Sequence, residues 1–440
     1  MTVDEEFARE PAAKKAWDVA RVASGNFLEM YDFMVFGYFA GAIGDAVFPK
    51  GDAFASLMAA LATFGAGFLM RPIGAVALGA VTDRYGRRAG LLITLLLMGV
   101  GILTLTLTPP YAAIGIAAPA LVLLGRLVQG FSAGAELGNV SVYLSEIATP
   151  GNKGFYVSWQ SASQQVAVVT AAALGVALAA VLPARALHDW GWRLPLAFGC
   201  LIVPLLLLMR RTLKETAAFE ARTRQPPVGE LLMGLARRWP IVLAGVALTA
   251  MTTVSFYMIT AYTPTFGKLL GLSVQDNLVV TAAVGLSNLV WLPLMGAASD
   301  RIGRKPILIA CTVLAIATAY PAMLWLAHAP SFGKLMAVEL WLSALYASYN
   351  SAMVVFLTEI VPEHVRASGF SLAYSLATAL GGFTPLIATW LIHATGNRAM
   401  PGAWLSVAAA AGLLAALVVP EPERERALLR HGGAPGPARA

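Results

Sequence analysis

Charge is scarce in this chain. Only 12% of its 440 residues are Asp, Glu, Lys or Arg, where soluble domains average about 25%. That scarcity excludes an ordinary soluble enzyme or binding module. With 58% hydrophobic residues and a mean hydropathy of +0.70, it implies an integral membrane protein with many spans. The formal charge of +7 does not point to a nucleic-acid partner, because the basic residues sit in short clusters between apolar runs, as in cytoplasmic loops. Cysteine is rarer still: Cys200 and Cys311 fall in separate apolar segments, so neither a disulfide framework nor a metal motif follows. The five histidines, His188, His328, His364, His393 and His431, lie at segment edges, in loops or in the tail, which disfavours a histidine proton relay. No cofactor or metal ion is called for, and no nucleophile–base pair of a membrane enzyme appears. The first residues lack a basic stretch leading into an apolar core, so a cleaved signal peptide is not expected.

What the sequence does have is apolar length. Twelve segments can be drawn, at about 21–46, 54–81, 89–108, 117–144, 154–182, 193–209, 240–266, 277–298, 306–327, 335–357, 367–393 and 402–419. The expected fold is therefore all-α, with twelve transmembrane helices. Placing both termini in the cytoplasm puts 23 of the 31 Lys and Arg inside and six outside, the asymmetry expected of a membrane protein so oriented. Residues 1–20 then form a cytoplasmic N-terminus, 21–209 a six-helix bundle, 210–239 a cytoplasmic linker broken at Pro226-Pro227, 240–419 a second bundle and 420–440 a Gly/Pro-rich tail.

An internal repeat supports the two halves. Gly79 to Arg88 reads GAVTDRYGRR and Gly296 to Lys305 reads GAASDRIGRK, 217 residues apart. Ser145-Glu146-Ile147 with Pro150 corresponds to Thr358-Glu359-Ile360 with Pro362, at an offset of 213. Repeated halves related by an axis along the membrane normal are a transporter construction, with the substrate site between them near the midplane.

The remaining signal is charge inside the spans. Ser24 to Phe39 carries Asn26, Glu29 and Asp32, and a membrane-centre carboxylate costs on the order of 2.5–3.5 kcal/mol unless it faces protein or water. Glu29 and Asp32 share a helix face, and with Glu136 they are the candidate proton carriers. Arg126 lies roughly 12 Å from one face of its span and Asp32 roughly 16 Å from the other, at similar depth. A pair between them is feasible, either permanent or broken by protonation and by an anionic substrate. Arg71 either neutralises Glu136 or clamps a carboxylate with its planar fork. Gln129 joins the substrate candidates, as does the stripe Gln160, Ser161, Gln164 and Gln165, which could meet ligand oxygens or neighbouring helices. The second half offers Thr253, Tyr257, Tyr262, Asn288, Tyr346, Tyr349 and Asn350, the tyrosines alternatively being interfacial anchors. Glu339 is expected near enough to the outer edge to be solvated. At the loops, Asp83 and Asp300 can accept from a helix N-terminus, while Arg84, Arg87, Arg88, Arg301 and Arg304 can pair with Glu146 and Glu359.

The repeated decapeptide is similar to the loop motif of the major facilitator superfamily. Four further stretches, GNFLEMYDF, Arg71-Pro72-Ile73-Gly74, GRLVQGFSAGAELG and YLSEIATPGNKGFYVSWQSASQQVA, resemble the metabolite-proton symporters, and among them the bacterial citrate and tricarballylate symporters. The resemblance runs from about Trp17 to Pro420. It implies a proton-coupled importer of a tricarboxylate working by alternating access, whose loop charges latch the cytoplasmic gate. A dicarboxylate such as 2-oxoglutarate or a zwitterionic osmolyte is the alternative substrate, and a membrane sensor the remaining class. The expected partners are a small carboxylate, protons and the lipid bilayer, with the chain acting as a monomer.

Overall fold

In hydrocarbon each backbone N–H and C=O must be satisfied within its own segment, which long apolar runs achieve as helices. The computed structural model describes residues 25–49, 52–85, 87–134, 140, 141, 144, 148, 151–211, 239–361 and 366–420, and their regular structure is helical throughout. Each expected span has a helix in its place. The first six are α1 (Gly25–Tyr38 and Ala40–Val47), α2 (Ala53–Leu69 and Arg71–Tyr85), α3 (Arg87–Leu107), α4 (Ala117–Ala133), α5 (Lys153–Val181) and α6 (Arg193–Arg211). The second six are α7 (Trp239–Tyr257, π-helical Met258–Tyr262 and Thr263–Leu269), α8 (Val274–Ile302), α9 (Arg304–His328), α10 (Phe332–Ile360), α11 (Arg366–Gly381 and Thr384–Thr395) and α12 (Met400–Val418). Among the described residues, eight helices are long and apolar enough to cross a bilayer, and the bent pair Ala184–Gly191 and Arg193–Leu208 makes a ninth. The places of the other three hold α1, broken at Phe39, and the shorter apolar helices Leu92–Leu107 and Ala117–Ala133.

Helix starts follow local chemistry. Asp52 accepts from Phe54 N at 2.9 Å, Ser273 from Asp276 N at 3.0 Å and Ser331 from Lys334 N at 3.3 Å, each satisfying an amide that has no partner inside its helix. The distribution of polarity inverts that of a soluble domain. Leu69, Leu103, Ile116, Leu201, Leu294 and Val407 face outward, while Asn26, Arg126, Gln129, Gln165, Asn277 and Asn288 are buried.

Two close helix contacts frame the interior. On α4, Gly130 and Gly134 are one turn apart, and Cβ atoms there would lie 1.6 Å from Gly67 O and 2.1 Å from Arg71 O of α2. Small residues at that spacing let helix backbones touch. The contact brings Arg71 and Arg126 to the same face of α1. The second contact runs between α5 of the first six helices and α8 of the second, where a Cβ on Gly154 would lie 2.3 Å from Gly296 O.

Candidate functional site

A small pocket of about 10 Å3, room for about one water molecule, lies between helices of the two halves. Met30 of α1, Arg71 of α2 and Gln164 of α5 form one side. Thr253, Phe256 and Tyr257 of α7, Tyr346 of α10, and Tyr374 and Thr378 of α11 form the other. One cation faces three phenols, two hydroxyls and an amide. Such a lining suits a small anion whose carboxylates meet the guanidinium and whose remaining oxygens meet O–H and N–H donors.

Behind this wall lie two fully buried ion pairs. Arg71 donates to Glu29, and Arg126 donates to Asp32 at 2.9 Å and to Gln129 at 2.7 Å. Arg71 is paired with Glu29, while Glu136, the other acid expected near it, lies outside the described residues. The two acids of α1, one turn apart, are divided between two arginines. Phe33 separates the cations, its ring centroid lying 5.4 Å from the Arg71 guanidinium carbon and 4.1 Å from that of Arg126. Phe68 flanks Arg71 at 4.9 Å, and Phe36 flanks Arg126 at 4.7 Å. Each desolvated cation–π contact contributes on the order of 1–2 kcal/mol, which helps hold charge in so apolar a place. Arg71 lines the cavity and Arg126 does not. Several polar atoms keep no protein partner among the described residues: Asp32 Oδ1, both amide atoms of Asn26 and both of Asn350.

Other expected residues fall elsewhere. Gln160 bonds to the Ser161 hydroxyl at 2.9 Å, and Gln165 accepts from Asn288 at 3.4 Å across the two halves. Gln164 is the member of that stripe at the cavity. Tyr349 is turned into the second half, its hydroxyl donating to Leu248 O at 2.8 Å, so the structure does not bring it to the cavity. Tyr262 is taken by Thr389 at 3.2 Å. Glu339 corrects an expectation outright: it is 1% exposed, not solvated. Tyr374 and Thr378 were missed, although their spacing of four on an apolar helix is the same signal that singled out the α5 stripe.

The repeated loop motif of the second half forms a cluster across the halves. Asp300 accepts from the amides of Gly154 at 2.8 Å and Phe155 at 3.1 Å, at the N-terminus of α5, and from Arg304 at 2.6 Å. Glu359 stands 3.9 Å from Arg304 and 3.8 Å from Lys153, and Arg301 is exposed. Asp83, Arg84, Arg87 and Arg88 lie on helical backbone whose side chains are outside the description, and Glu146 is outside the described residues.

Comparison with known proteins reports on the whole chain. The family described as "Sugar (and other) transporter" matches residues 19–225, and the Major Facilitator Superfamily matches residues 275–438. A citrate-proton symporter from Klebsiella pneumoniae is 58% identical over 399 residues, 90% of this chain and 90% of its own length. The chain belongs to the major facilitator superfamily. A citrate-proton symporter from Salmonella typhi is 56% identical, over 90% of this chain and 92% of that protein. The crystal structure of a D-xylose-proton symporter superposes with a TM-score of 0.72 over 92% of this chain and 98% of that one, at 21% identity, which shows the shared fold. As a superfamily member the protein is a multi-pass secondary transporter and not an enzyme. The cavity lies where repeat-built carriers place their substrate, between the halves.

Proposed function

We propose that this carrier is a proton-coupled symporter that imports citrate or a close tricarboxylate across the inner membrane, with both termini in the cytoplasm and residues 210–239 linking its two bundles. The observation that carries the reading is Arg71: a buried guanidinium that lines the cavity while paired with Glu29 one layer behind it. Protonating Glu29 releases the fork of Arg71 to a substrate carboxylate, so anion and proton enter as a set. The Tyr257, Tyr346 and Tyr374 hydroxyls, Gln164, Thr253 and Thr378 serve the remaining carboxylates and the hydroxyl. Asp32, paired with the buried Arg126, is the second proton carrier of α1, and its release of Arg126 is read as the event that follows substrate binding. Asn26, Gln129, Gln160, Ser161 and Asn350 support this layer from behind. Identity of 56–58% to two citrate-proton symporters supports the choice of acid.

The cluster of Asp300, Arg304, Glu359 and Lys153 is the latch of the cytoplasmic gate in this reading, with Asp83, Arg84, Arg87, Arg88, Glu146 and Arg301 as further members. The test is uptake of labelled citrate, tricarballylate, 2-oxoglutarate and betaine into proteoliposomes with an imposed inward-acid gradient. Citrate or tricarballylate should accumulate and collapse when a protonophore is added. Accumulation of betaine or 2-oxoglutarate in preference to both tricarboxylates would overturn the assignment.

A further inference from the structure

Glu339 of α10 is buried to 1% exposure, seven residues in from Phe332, and its Oε2 has no hydrogen-bond partner among the described residues. It faces the Thr263 hydroxyl of α7, in the turn directly after the π-helical stretch Met258–Tyr262. Widened turns of that kind leave backbone groups free to rearrange and occur often at functional sites. A second buried acceptor, Asn277 Oδ1, also stands without a partner, on a side chain whose amide nitrogen approaches Pro264 O at 3.4 Å. Among the described residues no cation answers the acid. On the elements around it, Lys268 and His328 are exposed at helix ends, Lys334 is turned to the carbonyl and ring of Trp325, and Asp276 sits in the first turn of α8. Among the described residues none of these forms an ion pair with Glu339. A bare carboxylate at that depth is costly, and a protein retains one where it is used.

The acid also lies one turn from a chain of hydrogen bonds that reaches the boundary between the halves. Ser343 lies one turn further along α10, about 6 Å by helical rise, and bonds to Asn288 of α8 at 2.7 Å. Asn288 in turn donates to Gln165 of α5, across the boundary between the halves. We infer that Glu339 is a proton-carrying acid of the second half, whose loading and unloading is transmitted to the α5–α8 boundary through Ser343, Asn288 and Gln165. This rests on the symporter reading and adds to it a proton carried outside α1. The carboxylate takes a proton from water on one side and returns it on the other as the substrate moves; no bond other than O–H forms or breaks, and the protein ends the cycle unchanged.

The experiment measures the proton-to-citrate ratio in proteoliposomes, from the citrate gradient that balances an imposed one-unit pH difference with the membrane potential clamped at zero. Glu339→Gln should lower the ratio by one proton, so the balancing citrate gradient falls about tenfold, while citrate counterflow shows that the protein remains folded. An unchanged ratio overturns the inference. If Glu339→Gln loses counterflow as well, Glu339→Asp decides: recovery of counterflow with the native ratio supports proton carriage, and equal failure of both variants makes the residue structural. The symporter reading fails separately, if the unaltered protein moves no citrate under any gradient.

Discussion

Gly154→Ala tests how the two halves are held at the loop-motif end. The added methyl would lie 2.3 Å from Gly296 O, 2.7 Å from Ser299 Oγ and 2.9 Å from Asp300 Oδ1, all inside the 3.0 Å that real Cβ contacts respect. One of these atoms is a backbone carbonyl, so α5 and α8 must part. Parting strips Asp300 of the Gly154 and Phe155 amides at 2.8 and 3.1 Å. A hydrogen bond to a charged acceptor contributes about 1.5–3 kcal/mol. Water replaces the lost partners at a membrane face, so the lower figure applies and the pair is worth about 3 kcal/mol. At about 1.4 kcal/mol per decade, the variant should favour the parted form by roughly a hundredfold. Ser158 reports on it: the side chain is 2% exposed, and its Cβ lies 3.0 Å from where a Gly296 Cβ would be. With Cys200 and Cys311 replaced by Ser, maleimide labelling of Ser158→Cys should quicken at least about tenfold when Gly154→Ala is added. An unchanged labelling rate would refute the argument that this contact closes the end.

Asp32→Asn should abolish citrate accumulation driven by a pH gradient while leaving exchange of internal for external citrate measurable; undiminished accumulation would remove Asp32 from the coupling. Arg71→Lys should raise the KM for citrate on the order of tenfold, because an ammonium cannot make the planar two-point contact, whereas Arg126→Lys, away from the cavity, should leave KM nearly unchanged. Equal effects on KM would show that the two arginines are not divided as the cavity lining indicates. Tyr349→Phe should cost about 1 kcal/mol of stability through the lost bond to Leu248 O, read as a lowered Tm in detergent, with transport intact.

The pairing of Asp32 with Arg126 was legible because depth along a helix is arithmetic: both lie near the middle of spans whose lengths the apolar runs define. The partner of Arg71 was not, since depth says nothing about azimuth. Only the α2–α4 contact at Gly130 and Gly134, which turns Arg71 toward α1, selects Glu29. Glu339 was misjudged for a similar reason. Seven residues from a helix start is about 10 Å, shallow for an isolated helix, but Glu339 meets the Thr263 hydroxyl of α7 and is packed away from water. The asymmetry of the cavity was half visible. Tyr257, Tyr346 and Thr253 stood out as polar residues in apolar spans, while Tyr374 and Thr378 sit in a helix whose Ala, Ser and Thr blur its faces.

The α5–α8 pair carries a mechanical consequence. Each helix is 29 residues long, and they touch near both ends and in the middle, with Cβ atoms on Gly154, Gly175 and Gly285 meeting Gly296, Leu278 and Val169. Two rods in contact along their whole length can part at one end only by pivoting on the contacts at the other. They can roll on each other, as an axle turns in its bearing, and a few degrees of roll there becomes ångströms of travel at the rims of the two bundles.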